Sequence, residues 1–333
     1  MRRLAIATRN LSLRYNLGAL ICSLILCGSL ATATAVTRGS GDVDQGDVGH
    51  TGVWYDPSDS GQGFELVIGP SSDAPDGRLM IGSWFTFAAT NGTPDTTPAG
   101  QRWYTLQAAY DADVDAIPIQ IFQNTGGTFA APPITAASQV GTGSLTFSSC
   151  TTGSLDYAFD DGRTGTIALV NLMPNVACGQ DSNAGQTSAQ LDAAWYDPNT
   201  SGQGAIIATG VNYGPIFVGW FTYSATAPGP GDSGQRWFTA QGPFPIFIDD
   251  GWLGSLTIFE TTGGAFNQAE PVSTVPVGTM DLAFLGPNAS MHYAFDSGEL
   301  AGRSGTISLT QLGPFPRIDT TADGDSQRAT AER

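Results

Sequence analysis

The chain has 333 residues, of which 13% are charged and 41% hydrophobic, with 43 glycines and 20 prolines. All thirteen basic residues are arginine, and thirty Asp and Glu leave a formal charge of −17. So acidic a balance argues against nucleic acid and anionic membrane surfaces as partners, since both demand a basic face. It suits a solubilised exported protein and saline surroundings.

In chain order, residues 1–35 read as a signal peptide. Arg2, Arg3, Arg9 and Arg14 form the basic start, and LGALICSLILCGSLATATA supplies an apolar core ending in small residues. The run is short for a membrane span, so no membrane association is expected after cleavage, and the expected location is extracellular or periplasmic. Residues 36–50 (VTRGSGDVDQGDVGH from Val36) are small, polar and acidic, and read as a leader.

From there the chain says nearly everything twice, about 140 residues apart. WYDPSDSGQG from Trp54 returns as WYDPNTSGQG from Trp195, GQRWYT from Gly100 as GQRWFT from Gly234, and IFQNTGGTF from Ile121 as IFETTGGAF from Ile258. YAFDDG from Tyr157 returns as YAFDSG from Tyr293, and RTGTIAL from Arg163 as RSGTISL from Arg303. A period this long marks a duplicated domain rather than a solenoid. Module one is read over 51–178, a polar linker over 179–190, module two over 191–316, and a disordered tail over 317–333.

Within a module the pattern is all-β. Short runs rich in β-branched and aromatic residues alternate with Gly, Asn, Asp and Pro clusters, giving seven or eight strands each. Leu155, Tyr157 and Phe159 alternate with Asp156, Ala158 and Asp160, as a half-buried strand requires. Sequential strands on tight turns predict two tandem antiparallel meanders that close into barrels, because closure removes exposed edges. A pair of β-sandwiches is the competing architecture.

The WYDPxxSGQG opening, GQRW[YF]T and the closing RxGTIxL resemble tandem β-rich modules of exported bacterial proteins of undefined function. That likeness covers nearly the whole mature chain and implies no settled activity. Thr51 to Asp56 is also similar to the opening of the avidin family barrel. The loop that would carry polar biotin contacts is here DPSDSGQG, so biotin binding does not carry over.

Each module repeats three tryptophans, Trp54, Trp84 and Trp103, then Trp195, Trp220 and Trp237, with Tyr55 and Tyr196 beside the first of each set. Neighbouring aromatics on a strand point to opposite faces, so one ring of each pair can be core while the other lines a ligand face. Repeated polar residues join them as candidate ligand contacts: Gln62, Arg102 and Gln107, then Gln203, Arg236 and Gln241. Arg102 could instead cap a ring or pair with Asp56 under the WYDP turn. Together these suggest a secreted binding protein for carbohydrate, another extracellular polymer or a small ligand. The rivals are a structural or surface-interaction protein with buried aromatics, and a hydrolase or lyase of unfamiliar type.

Catalytic motifs are sparse. GDSG at 231–234 is similar to a serine-protease nucleophile loop, but neither His50 nor His292 stands in a triad context, and no Glu recurs in both modules. No cofactor is implied. Calcium is the one ion suggested, through Asp111, Asp113 and Asp115, although the glycine and closing glutamate of an EF-hand are missing. Cys150 and Cys178, which outlast the signal segment, are expected to form one disulfide in an oxidising compartment.

Overall fold

The structure, a computed structural model, describes residues 43–59, 61–71, 77–90, 93–131, 135–173, 191–200, 202–210, 214–243, 246–248 and 251–312. The stretches read as signal segment (1–35), linker (179–190) and tail (317–333) therefore lie outside the described residues. Two closed eight-stranded antiparallel barrels follow one another, and there is no α-helix among the described residues. Each barrel is one continuous sheet, which decides the architecture against paired sandwiches.

Barrel one comprises β1 (Gly52–Tyr55), β2 (Gly63–Pro70), β3 (Gly77–Phe87), β4 (Gln101–Asp111), β5 (Ile117–Thr125), β6 (Ala136–Phe147), β7 (Thr152–Phe159) and β8 (Thr164–Asn171). Each pairs with the next, and Trp54 and Tyr55 close the ring against Asn171 and Val170. Module two supplies β9 (Ala193–Tyr196), β10 (Gly204–Thr209), β11 (Ile216–Tyr223), β12 (Gln235–Gly242), β13 (Ile246–Ile248), β14 (Gly251–Thr262), β15 (Ser273–Leu285), β16 (Asn288–Phe295) and β17 (Ser304–Gln311). Here β17 joins β9, and β12 joins β14 to complete eight strands. β13 is an added arm paired with the far end of β14.

Period-two alternation fills both interiors. On β7, Leu155, Tyr157 and Phe159 are buried while Asp156 and Ala158 are exposed. Bulges fall at matching places: opposite Ile121/Phe122 of β5 the extra residue is Val140 of β6, and opposite Ile258/Phe259 of β14 it is Val277 of β15, where it bends the strand and helps the sheet curl.

The two barrels seal one of their ends differently. In barrel one the seal is residues 43–50, the last part of the stretch read as a leader. Val48–His50 forms a 3-10 turn, and the His50 ring stacks on Phe147 with centroids 4.0 Å apart. The Gln45 side chain grips the Phe147 backbone from both sides. Its Nε2 donates to the carbonyl at 2.9 Å, and its Oε1 accepts from the amide at 2.7 Å. Arg78 Nε and the Tyr110 hydroxyl donate to the Gly46 and Gln45 carbonyls, at 2.8 and 3.2 Å. These residues belong to the folded module, so its ordered start precedes residue 51. In barrel two Phe284, the counterpart of Phe147, is paired in the ladder with Trp252 of the longer β13–β14 hairpin.

Candidate functional site: the seam between the barrels

Both barrels lie in one compact unit, and the repeated residues converge where the two meet. Strand alternation sends Trp84 and Tyr104 into the core of barrel one, and Trp220 and Phe238 into that of barrel two. Their chain neighbours must then face outward. Phe85, Phe87 and Trp103 from one barrel meet Tyr223 and Trp237 from the other in a single buried cluster, with Phe221 against it. Trp103 lies 5.2 Å from Phe221 and 5.6 Å from Tyr223, while Trp237 lies 5.6 Å from Phe85 and 5.7 Å from Phe87. Burying a large ring removes up to about 250 Å² from water, worth roughly 4–6 kcal/mol gross by area.

Polar groups cross the seam reciprocally. Trp103 Nε1 donates to the Thr222 carbonyl at 3.1 Å, and Trp237 Nε1 to the Thr86 carbonyl at 3.0 Å. Gln101 Nε2 donates to the carbonyls of Trp237 and Thr261, and Gln235 Nε2 to those of Trp103 and Asn124. Equivalent residues thus make equivalent bonds in opposite directions, which is the pattern of a two-fold interface.

The TGGxF loops extend this exchange. Gln62 Nε2 holds the Ala265 carbonyl at 3.0 Å, and Gln203 Nε2 holds those of Thr128 and Ala131 at 3.1 and 3.2 Å. So anchored, each loop inserts its phenylalanine into the other module's barrel. Phe266 sits 5.2 Å from Trp84 and 5.6 Å from Phe159, and Phe129 sits 5.4 Å from Tyr293 and 5.6 Å from Trp220. Ala130 and Asn267, next in each loop, both have positive φ, +46° and +47°. That conformation is uncommon away from glycine and turns each loop back after its ring is placed. A Cβ on Gly127 would lie 2.0 Å from the Tyr223 ring, and one on Gly264 2.2 Å from Phe87. The second glycine of the motif is what lets the facing ring approach. Arg163 covers the first insertion, its guanidinium 4.2 Å from the Phe159 centroid and 4.5 Å from that of Phe266.

These positions correct several expectations. All six repeated tryptophans are at most 2% exposed, so no sugar ring can stack on them. Trp54 and Trp195 lie inside the barrels, with Nε1 bonded to the His50 and Leu191 carbonyls. Tyr55 and Tyr196 are half-buried, as is Gln107, while Gln241 is exposed; the seam bonds do not involve them. Arg102 pairs with backbone carbonyls of Ala99, Gln101 and Gly231 rather than with Asp56, whose carboxylate accepts from Ser58 in its own turn. Arg236 instead clamps Asp232 at 2.8 Å and Glu299 at 2.5 Å. Burial alone would raise the Asp232 carboxyl; hydrogen bonds from Arg236 and the Gly234 amide outweigh it and hold the carboxyl below its usual value.

Four other acids are forced the opposite way. Burial raises Asp59 to about 6, against a bond from Gln62. It pushes Asp192 well up although Thr209 donates to it through amide and hydroxyl. Burial, then the Glu299 charge, raises Glu260. Glu65, on the outer face of β2 at the seam, is also pushed well up by burial.

Among the described residues, the groups that the sequence offered for catalysis are not brought together. Asp232 and Ser233 of the GDSG loop are engaged with Arg236 and the Gln235 amide, His50 is at the far end of barrel one, and His292 is exposed on β16. Asp111 ends β4, Asp113 and Asp115 lie in the β4–β5 turn, and no group of three His, Cys, Asp or Glu placed to hold a metal exists among the described residues. A pocket between Asp197, Thr200, Gln203 and Trp220 has room for about one water. Cys150 is in the β6–β7 turn, but Cys178 lies outside the described residues, and the expected bridge falls there.

The sequence reading missed Phe129, Phe266, Glu65, Asp59 and Gln45. For the two phenylalanines the signal was present, because TGGxF is written twice with a double glycine that no hairpin between β5 and β6 needs. No protein-family model matches the chain, and no curated protein and no solved structure matches it.

Proposed function

We propose that this is an exported structural or surface-interaction protein, built as a rigid two-barrel body with an acidic exterior. The observation that carries the reading is the use made of the duplicated aromatics and glutamines. The six repeated tryptophans are consumed by the barrel cores and the seam, as are Gln62, Gln101, Gln203 and Gln235 by the bonds across it, and the TGGxF phenylalanines fill the barrel mouths where a small ligand would enter a barrel of this size. Any partner then meets the outer surface, which the arginine-poor, lysine-free composition makes acidic. Such a surface favours a basic or cation-bridged partner in the extracellular or periplasmic space.

The test is a glycan-array screen of the labelled mature chain, alongside thermal-shift measurements with small sugars. The structural reading expects silence in both. A specific glycan signal would restore the carbohydrate-binding alternative and place its face on the exterior. Such a signal should then survive conservative exchange of Trp103 and Trp237 to Phe.

A further inference from the structure

The two faces of the seam are near copies, so either should be able to close on a copy of itself unless something forbids it. Nearly every seam residue has its equivalent on the other face: Gln62 and Gln203, Phe85 and Phe221, Gln101 and Gln235, Trp103 and Trp237. Phe87 answers to Tyr223 and Asn124 to Thr261 with the same kind of contact, but one pair of neighbouring positions breaks the symmetry in both size and charge. Module one has Glu65 on β2 beside Ser83 on β3, and module two has Ile206 on β10 beside Gly219 on β11.

The mismatch interlocks. A Cβ placed on Gly219 would lie 2.2 Å from Glu65 Oε2 and 2.4 Å from the Phe85 ring. The glutamate carboxyl and the phenylalanine therefore occupy the hollow left by the missing side chain. Glu65 is 1% exposed, the Gly219 amide donates to its carboxyl, and the Ser83 hydroxyl stands 3.5 Å away. Against a second module-one face the hollow is gone. Ser83 would stand where Gly219 stands, with its Cβ on Glu65 and Phe85, and two glutamate carboxyls would be buried in one dry seam. A rigid ring cannot swing away as a chain end can, and like acids buried together repel unless protonated.

We infer that Glu65 and Gly219 make the seam selective: a module-one face accepts a module-two face, of its own chain or of a second copy, and rejects another module-one face. Specificity here is gained by penalising the wrong partner as much as by favouring the right one. The consequence is topological. Chains able to pair one-to-one and two-to-two could link into open filaments, whereas one-to-two pairing closes within a chain or within an exchanged dimer.

The experiment uses the full chain with a specific protease site placed in segment 179–190. The chain is cut, unfolded in urea, refolded, and weighed by native mass spectrometry. The unaltered seam should return only the one-to-two pair. Glu65→Ile, which gives module one the residue of module two, should bring one-to-one pairs from undetected to a resolved species. Ser83→Gly, which carves a second hollow, should do the same. One-to-one pairs as abundant in the unaltered protein as in Glu65→Ile would overturn the inference, as would their absence from both variants. Should the cut halves fail to refold, the uncut chain decides. Gly219→Ser should speed amide exchange along β3, β4, β11 and β12 while Ser83→Gly leaves it slow, and equal exchange in the two sinks the idea.

Discussion

Phe129 and Phe266 are each encoded in one module and buried in the other, in contact with Trp220 and Tyr293 in one case and Trp84 and Phe159 in the other. Their backbone amides are held by the receiving module too, Phe129 by the Ser224 carbonyl and Phe266 by that of Ala88, both at 3.1 Å. Truncating such a ring removes its transfer energy and leaves a cavity the surrounding aromatics only partly close. Phe129→Ala and Phe266→Ala should therefore each cost about 3–5 kcal/mol in denaturant unfolding of the whole chain. The placement of the damage is the sharper reading. Amide exchange in Phe129→Ala should accelerate in β11 and β16 of barrel two, and in Phe266→Ala in β3 and β7 of barrel one. Acceleration confined to the module that encodes the ring would show that the insertions do not occur.

At the scale of elements, the two modules solve one problem with different pieces. The end of β6 at Phe147 lies beyond its pairing with β5, and the Gln45 side chain takes the place of a strand there. Module two lengthens β13–β14 instead, so that Trp252 pairs with Phe284. Gln45→Ala should thus destabilise the chain by about 1–3 kcal/mol, the cost of a buried amide left unpaired, and the Phe147 amide should become fast in hydrogen exchange. Unchanged protection at Phe147 would mean that Gln45 is not the cap. The strands themselves were legible, because Leu155, Tyr157 and Phe159 alternate visibly and turn residues bracket each run. The cap was not. VDQGDVGH has no apolar period and works through one amide side chain and one imidazole ring, so its composition looks like that of a linker.

Over the whole molecule, the sequence predicted that one ring of each aromatic pair leaves the core, but not what covers it. Period two fixes a face; the covering surface comes from residues more than a hundred positions away, as Trp103 on Thr222 shows. Burial of acids escaped for the same reason, and it sets how stability should follow pH. Asp59, raised to about 6, and Glu65, Asp192 and Glu260, also raised by burial, bind protons more tightly folded than unfolded. Between the unfolded carboxyl range near ~4 and these folded values, the native chain carries more protons, so its stability falls as pH rises. That contribution is complete below the unfolded value and lost above the folded ones. Asp161 and Asp232 are lowered, and act oppositely, their contribution vanishing on acidification. Stability should therefore peak in mild acid and decline toward neutrality, with Glu65→Gln and Asp192→Asn each flattening the decline in urea titrations. Surface repulsion among the excess acids would also weaken the fold as pH rises, but salt screens it and leaves buried groups largely untouched. A decline that persists in about 1 M salt, where the screening length is near 3 Å, and disappears in the double variant assigns the effect to the buried acids. A profile from pH about 5 to 8 that the double variant leaves unchanged would show that these carboxyls are not held protonated by the fold.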